Sequence, residues 1–312
     1  MSQIDFREIN RAAHEDIYRL VEQTEQSYKD SVCRVADALI QSGARIILLA
    51  GPSSSGKTTT ANILKDIMGE RGHETAVVSM DNFYRSKDDP HYPRLENGML
   101  DYEAVEALHT DRIHDCIDSL LKGKTVKMPK YVFGEGATVG EGISVVLPDR
   151  GFVIIEGLHA LNPVMTDGLD KTAIIKLFIS VSTNINDCEN RILSGRKIRF
   201  IRRMTRDSLY RGTDASSTLE RWASVLEGED KYLYPFKKNA DLSINTFHKY
   251  EIGVMKPFAL KAMQSSCKPL FGEYIEIIKN ALDKFDILPL EAVPETSLIR
   301  EFLPGGKYEA LY

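Results

Sequence analysis

Five short apolar runs recur along the chain and alternate with segments of helical periodicity. The runs comprise residues 45–50, 75–80, 152–155, 174–181 and 241–245. An apolar run of strand length between turn residues is typical of a strand buried on both faces of a parallel sheet. Because strands that alternate with helices favour parallel pairing, the pattern predicts an α/β fold with a doubly wound parallel sheet.

The two ends of the chain depart from this alternation. Between Asp16 and Gln41 apolar residues recur at intervals of three and four, and Gly43 follows, which predicts an amphipathic helix ending there. We therefore expect a helical lead over residues 1–44, a main domain over residues 45–290 and a tail over residues 291–312. Prolines in the tail predict an extended segment on the surface.

The stretch from residue 81 to residue 150, between the second and third apolar runs, has a different pattern. It contains a charged, turn-rich loop and a segment of helical periodicity over residues 102–122. Two further segments, 124–133 and 143–148, are separated by GEGATVGEG and predict a β-ribbon. An insertion of this size at the edge of a sheet is a natural place to bind a second substrate.

Composition narrows the class of protein. Of 312 residues, 45 are acidic and 40 are basic, 43% are hydrophobic and 27% are charged, which is typical of a globular chain and excludes a disordered or collagenous one. The net charge of −5 and a pI near 5.9 count against a protein that binds nucleic acid. They fit an enzyme that acts on small molecules.

Cysteine usage and hydropathy bear on location and metal binding. The four cysteines stand far apart without a CxxC pair, and the histidines show no metal-ligand spacing, so His159 is expected to be a surface or packing residue. The apolar runs are far shorter than the ~20 residues of a membrane span. The polar, acidic first residues are unlike a targeting peptide. These features predict a cytoplasmic protein without a membrane segment.

The segment GPSSSGKT, Gly51–Thr58, matches the phosphate-binding pattern GxxxxGK[ST] and lies between an apolar run and a helical segment. Its glycines let successive backbone N–H groups face one anion, Lys57 reaches the β and γ phosphates, and the Thr58 hydroxyl binds Mg²⁺. This P-loop predicts a nucleoside triphosphate site formed by Gly51, Ser53, Ser54, Ser55, Gly56, Lys57, Thr58 and Thr59.

P-loops occur in GTPases, ATP-driven machines and kinases. The chain has neither the NKxD segment of a guanine site nor the LSGGQ segment of a transporter. Asp81 and Glu156 each follow an apolar run and are expected at strand ends beside the phosphates. Asp81 is a candidate base for an attacking hydroxyl, and Glu156 is a candidate Mg²⁺ ligand. The alternative for either acid is a turn or helix cap.

A basic stretch follows later in the chain, within a region from residue 185 to residue 230. Arg199, Arg202, Arg203 and Arg206 are spaced i, i+3, i+4 and i+7, which places them along one side of a helix. In a kinase such a helix closes over the triphosphate as a lid and stabilises the transferred charge. The alternatives are a solvated helix face and a patch that binds RNA.

These motifs together resemble the uridine kinase and phosphoribulokinase family of P-loop kinases. The matching segments, in the family's order, are GPSSSGKTT, SMDNFY, LLKGKTVKMPKYVF, FVIIEGLHAL, RFIRRMTRD and YPFKKNADLSIN, which cover roughly residues 45–245. EGLHALNP, ERWASVLEGEDKYLYPFKKNAD and SLIREFLPGG are more similar to the bacterial uridine-kinase-like branch.

The resemblance implies roles for particular residues. Asp81 would be the catalytic base, and Thr58 and Glu156, with Asp81, would bind Mg²⁺. The ATP phosphates would be bound, and the transferred phosphoryl group stabilised, by Lys57, Arg202, Arg203 and Arg206. The nucleoside would be bound by Tyr84, Asp101, Tyr131 and Phe133. Val132 replaces the family's usual acid, and no histidine follows Phe133, so the base that is recognised stays open.

We therefore expect an ATP- and Mg²⁺-dependent kinase that phosphorylates a hydroxyl of a small metabolite, with uridine or cytidine at the 5′-hydroxyl as first candidate. A sugar or sugar-phosphate kinase is the first alternative, and a phosphorylated acceptor would need Lys130, Arg85 or Arg94 in its pocket. A regulatory NTPase associated with RNA is a more distant alternative. Relatives in this family are often homo-oligomers, so the resemblance is compatible with a homo-oligomer of this chain.

Overall fold

The protein, described by a computed structural model over residues 2–132, 135–266 and 272–308, alternates helices and strands. The helices are α1 (Phe6–Ser42), α2 (Lys57–Glu70), α3 (Thr110–Leu121), α4 (Gly195–Tyr210), α5 (Ala215–Tyr232), α6 (Glu251–Gln264) and α7 (Glu273–Asp283). The strands are β1 (Ser2–Asp5), β2 (Ile46–Ala50), β3 (Thr75–Ser79), β4 (Val126–Val132), β5 (Ala137–Val145), β6 (Phe152–Glu156), β7 (Ile174–Ser180), β8 (Thr183–Asp187), β9 (Asn190–Leu193) and β10 (Leu242–Asn245).

The five predicted apolar runs form one parallel sheet in the order β10-β7-β2-β6-β3. All five residues of β2 are buried, and they alternate between two cores. Ile47 and Leu49 face the core that includes α1 and α2, whereas Ile46 and Leu48 face the core that includes α3. The predicted doubly wound α/β fold is confirmed, and the carboxyl ends of β2, β3 and β6 lie at one edge.

The N-terminal helix begins earlier than predicted. It runs from Phe6, because the Asp5 carboxylate caps the N–H of Arg7, and it is kinked at Asp16, where the backbone leaves helical geometry. Gly43 ends it in a left-handed conformation, as predicted. A strand that the sequence pattern did not reveal, β1, pairs with β8 in a small second sheet with β9.

The insertion contains the predicted helix and ribbon with shifted bounds. Helix α3 begins at Thr110 instead of near residue 102, because the Asp101 carboxylate accepts the N–H groups of Glu103 and Ala104 and holds a turn there. Strands β4 and β5 form the antiparallel ribbon, whose second strand starts at Ala137, inside the predicted connection.

The C-terminal segment differs most from its prediction. Instead of lying extended on the surface, it forms short 3₁₀ turns whose side chains Leu298, Ile299 and Phe302 are fully buried in the core shared with α1 and β2. Apolar side chains spaced along SLIREFL drive this burial. In the described part of the chain, no helix combines the length and hydropathy that crossing a membrane requires.

Candidate active site

The P-loop connects β2 to α2 through a tight backbone turn. Ser54 and Gly56 adopt positive φ angles of 57° and 88°, the left-handed region that favours glycine. A Cβ atom at Gly51 would lie 2.6 Å from the Ile179 carbonyl oxygen, and one at Gly56 would lie 2.6 Å from Leu298. The two glycines of the motif therefore stand where the backbone passes too close to its neighbours for any side chain.

Polar groups of the loop bond to the loop itself, bond to α5, or have no partner among the described residues. The Lys57 ammonium donates to the Gly51 carbonyl at 3.0 Å, which folds the side chain back over the turn. The Ser53 N–H donates to Glu229 on α5 at 2.9 Å. The buried hydroxyls of Ser54 and Ser55 have no hydrogen-bond partner among the described residues. A bound polyphosphate would supply acceptors for such donors.

Three oxygen-bearing side chains meet where β2, β3 and β6 end. The Thr58 hydroxyl lies 3.4 Å from Glu156 Oε1, and Glu156 pairs in register with Leu49 on β2 and Ser79 on β3. Asp81 follows β3 in a 3₁₀ turn and is accessible to solvent. The predicted juxtaposition of the P-loop, Asp81 and Glu156 is thus present in the fold.

Both carboxylates of this crevice bind a proton more tightly than free carboxyl groups do. Burial, and then the charge of Asp81, raises the pKa of Glu156 to about 7. The pKa of Asp81 is also raised, because the surrounding protein shields part of the carboxyl from water, and the charges of Lys57 and Arg211 oppose the shift. Adjacent like charges of this kind are relieved by a cation.

The crevice fits Mg²⁺ by the chemistry of its donors. Thr58, Glu156 and Asp81 offer hard hydroxyl and carboxylate oxygens, which Mg²⁺ prefers, usually with waters and phosphate oxygens completing its shell. Within the described residues, no group of three or more His, Cys, Asp or Glu side chains forms an all-protein cage for a metal. One hydroxyl and two carboxylates would leave the other positions of an octahedral shell to waters or phosphate oxygens.

Removing the Glu156 charge is expected to stabilise the nucleotide-free protein. Because the folded state holds this proton more tightly than an unfolded glutamate with a pKa near 4.5, stability falls as pH rises from about 4.5 through 7. In EDTA, Glu156→Gln should raise the free energy of unfolding at pH 8 by at least about 1 kcal/mol. Urea denaturation at pH 5 and pH 8 measures this gain, which should shrink at pH 5.

The exposed Glu295 provides the matched control for this measurement. Glu295→Gln should change stability little at either pH. An equal gain for Glu156→Gln at pH 5 and pH 8 would contradict the burial of its charge.

Two of the predicted lid arginines are locked in buried ion pairs. The Arg199 guanidinium donates two hydrogen bonds to the Glu229 carboxylate, at 2.7 and 2.8 Å. The Arg202 guanidinium likewise donates two hydrogen bonds to the Glu251 carboxylate, at 2.7 and 3.0 Å. All four side chains are at most 1% exposed.

The spacing does place the arginines along one side of α4. That side packs on α5, α6 and the back of the P-loop, where Arg199 donates to the Ser53 carbonyl at 2.9 Å and Arg202 to the Ser54 carbonyl at 3.4 Å. Arg202 is thus fully buried and paired with Glu251, and its role as a phosphate ligand stays a prediction.

The other two arginines differ in their surroundings. Arg203 donates to the Ser53 hydroxyl at 2.8 Å, and its side chain is 16% exposed, so it reaches the P-loop. Arg206 is nearly buried and donates to Asp207 at 2.7 and 3.0 Å. Of the four, Arg203 is the one whose geometry suits contact with a phosphate.

Two of the aromatic residues predicted to bind the nucleoside, Tyr84 and Tyr131, contact each other. The rings of Tyr84 and Tyr131 pack on each other, with centroids 5.7 Å apart and planes tilted by 49°. The Tyr84 hydroxyl donates to the Tyr102 carbonyl at 3.0 Å. Phe133, the other predicted aromatic residue, lies outside the described residues. Rings in mutual contact leave no gap for a base between them.

The acidic residue that faces the crevice from the insertion is Glu103, which the sequence interpretation missed. Asp101 uses one carboxylate oxygen to hold the turn at Glu103, and the other lies 3.4 Å from the Tyr232 hydroxyl. Burial raises the pKa of Glu103 to about 7, with Arg203 and Lys57 opposing and Glu229 and Asp81 adding to the shift. Only the acid-rich composition of DYEAVE signalled such a residue.

A second missed acid binds the P-loop from the C-terminal segment. Glu301 accepts a hydrogen bond from the Thr59 hydroxyl at 2.6 Å and lies 3.3 Å from the Thr59 N–H. Thr59, predicted to contact nucleotide, is therefore held by a carboxylate at the start of α2. No local motif could have revealed it, since 242 residues separate the pair.

The parallel sheet, the P-loop and the acids at neighbouring strand ends define the class of P-loop kinases. The sequence profile of the Phosphoribulokinase / Uridine kinase family matches residues 46–252. The chain belongs to this family, and the predicted resemblance is confirmed.

Individual proteins are similar to this chain in sequence or in fold. A uridine kinase of Staphylococcus aureus (strain JH9) is 30% identical over 202 residues, covering 64% of this chain and 86% of the relative. The crystal structure of a putative fructose transport system kinase from Silicibacter sp. TM1040 has the same fold, with 19% identity, a TM-score of 0.50, and coverage of 68% of this chain and 98% of that one.

Proposed function

We propose that the protein transfers the γ-phosphoryl group of ATP to a hydroxyl of a small, uncharged acceptor, with the 5′-hydroxyl of uridine or cytidine as first candidate. The observation that carries this proposal is the placement of Asp81 and Glu156 beside the P-loop at adjacent strand ends. Family membership and the similarity to a uridine kinase support it.

The proposed reaction uses the chain's own groups in defined roles. The acceptor oxygen attacks the γ-phosphorus while its proton passes to the Asp81 carboxylate, and the bond to the leaving ADP oxygen breaks. Lys57 and Arg203 stabilise the negative charge that spreads over the transferred group. Magnesium, held by Thr58 and Glu156, would neutralise phosphate charge.

The charges around the acceptor crevice favour an uncharged acceptor over a sugar phosphate. A phosphorylated acceptor needs a cationic anchor, but Arg85 is bound to Asp89 and to the Glu106 carbonyl, and Arg94 to the Gly98 carbonyl. Lys130 is exposed on β4, next to the buried Tyr131. The crevice side instead carries Asp81 and Glu103, which would repel a phosphate.

One observation favours a free sugar as second candidate for the acceptor. Among the described residues, the rings of Tyr84 and Tyr131 pack on each other and leave no slot for a base between these two rings. A sugar needs hydrogen-bonding groups more than stacking, and the crevice offers carboxylates and a tyrosine hydroxyl.

A panel of acceptors tests the proposal. Uridine, cytidine, ribose, fructose and their phosphates are incubated with ATP labelled at the γ-phosphate, and labelled products are separated by chromatography. We expect label on a nucleoside or a free sugar and none on the phosphorylated acceptors. Label released only as inorganic phosphate, with a rate raised by RNA, would contradict the proposal and support a regulatory NTPase.

A further inference from the structure

The C-terminal segment supplies an acid to the start of helix α2. This acid, Glu301, lies beyond residues 46–252, which the family profile matches. Its carboxylate oxygen Oε2 accepts hydrogen bonds from the Thr59 hydroxyl at 2.6 Å and from the Thr59 N–H at 3.3 Å. Helix α2 has no acidic residue in its own first turn and no side-chain cap at Gly56. A distant part of the chain thus provides the negative charge that the positive end of a helix favours.

The backbone on both sides of this acid is anchored to the core and to α2. Leu298 and Phe302 are fully buried, and a Cβ atom at Gly56 would lie 2.6 Å from Leu298. Further along, the Lys307 ammonium donates to Asp66 on α2 at 2.6 Å. The acid itself is only half-buried. Its side chain can therefore change rotamer while the backbone of the segment stays in place.

The donors that Glu301 occupies belong to the anion site of the P-loop. N–H groups in the first turn of a helix have no acceptor within that helix, and in a P-loop they bind phosphates. Thr59 is the third residue of α2 and supplies one of these N–H groups. In the preceding turn, the buried hydroxyls of Ser54 and Ser55 have no partner among the described residues. A phosphate oxygen bound to Thr59 would take the position of Glu301 Oε2.

Charge prevents the acid and a phosphate from sharing this position. A carboxylate and a phosphate oxygen are both anionic, and each would need the same two donors of Thr59. The charge of Glu301 also extends to the predicted magnesium ligand. Burial is the main cause of the raised pKa of Glu156, and the charge of Glu301 adds to that shift. The acid therefore lies within electrostatic reach of the place where the triphosphate is expected.

We propose that Glu301 occupies a phosphate position of the P-loop, so that a nucleotide must displace its side chain from Thr59 in order to bind. This inference rests on the proposed function in one respect, the binding of a nucleoside triphosphate by this loop. The apparent affinity for a ligand falls in proportion to the fraction of molecules whose site is open. Glu301 thus sets how tightly the protein holds ATP.

Two substitutions at Glu301 separate its charge from its contact with Thr59. Glu301→Gln keeps the shape of the side chain and removes the charge, whereas Glu301→Ala removes the acceptor as well. Glu295→Gln, at an exposed position of the same segment, is the matched control. Titration calorimetry with Mg²⁺ measures the dissociation constants of ATP and of tripolyphosphate, which has the phosphates without the nucleoside.

We expect Glu301→Gln to bind ATP about tenfold more tightly than the wild type, and tripolyphosphate more tightly by a similar factor. Glu301→Ala should gain at least as much, and Glu295→Gln should match the wild type. Without ligand, both Glu301 variants should melt at a lower temperature, because α2 loses the acid at its positive end. Tighter binding by a less stable protein is the opposite of what the loss of a merely structural residue produces.

Three outcomes decide the inference. Unchanged or weaker ATP binding by a folded Glu301→Gln protein would overturn it, and weaker binding would mark Glu301 as a support of the P-loop. Tighter binding of ATP but not of tripolyphosphate would also contradict it, since the acid would then oppose the nucleoside instead of the phosphates. A Glu301→Gln protein that binds both ligands more tightly but phosphorylates no acceptor would support the inference and contradict the proposed function.

Discussion

Asp81→Asn is expected to lower kcat for phosphoryl transfer by about 10³-fold while the dissociation constant for ATP changes little. The amide keeps the shape of the carboxylate but cannot accept the proton of the attacking hydroxyl, and general-base catalysis contributes about 10²–10⁴-fold in enzymes. Steady-state kinetics with the best acceptor measures kcat, and titration calorimetry measures ATP binding.

Asp88 is a suitable control for this experiment, because it is exposed and lies in the same insertion. Asp88→Asn should keep wild-type turnover. An Asp81→Asn enzyme with normal turnover would show that another group accepts the proton.

Glu251→Ala is expected to lower the free energy of unfolding by about 3–5 kcal/mol. The substitution leaves the Arg202 guanidinium, which is fully buried, without its carboxylate partner. The Thr246 carbonyl, at 2.6 Å, then remains as a close partner of the buried guanidinium, but it carries no charge to balance it. Guanidinium chloride denaturation measures the loss.

An ion pair on the surface is the control for the buried pair of Arg202 and Glu251. Asp37 pairs with Arg71 at 2.8 Å on the surface, and Asp37→Ala should cost less than about 1 kcal/mol. Replacing both buried partners, Arg202→Met with Glu251→Leu, should cost less than Glu251→Ala alone, because no unpaired charge is then left inside. Equal losses for Glu251→Ala and Asp37→Ala would contradict the assignment of a desolvated pair.

The central sheet and the P-loop were predictable because their signals are local. A run such as Ile46–Ala50 is apolar at every position, which identifies a strand buried on both faces. The P-loop is recognisable from its sequence because its backbone requires glycines. At Gly51 and Gly56 a Cβ atom would collide with neighbouring atoms. Asp81 and Glu156 could be placed together because parallel strands end at the same edge.

The supporting contacts of the site were not predictable because they join distant parts of the chain. Helical spacing revealed that Arg199 and Arg202 share one side of α4, but it cannot tell whether that side meets solvent, nucleotide or the acids Glu229 and Glu251. The same holds for Glu301, which reaches Thr59 from the C-terminal segment. Each of these pairings depends on which helices and strands are neighbours in the folded protein.

Local polar interactions also overrode periodicity in the insertion. Apolar spacing predicted a helix from about residue 102, but the Asp101 side chain competes for the N–H groups that would start it. The resulting turn directs Glu103 to the crevice and leaves Asp101 behind it. A shift of about two turns in the helix start thus changed the surroundings of both acids.

A single reaction in water enriched in ¹⁸O tests the central claim most directly, because it shows which oxygen receives the phosphoryl group. ³¹P NMR of the products, with ATP and the best uncharged acceptor, distinguishes a phosphate ester from inorganic phosphate. We expect one equivalent of acceptor phosphate per ADP formed, without ¹⁸O in the new ester. Inorganic phosphate containing ¹⁸O as the main product, with the acceptor unchanged, would show that water is the nucleophile and would contradict the account.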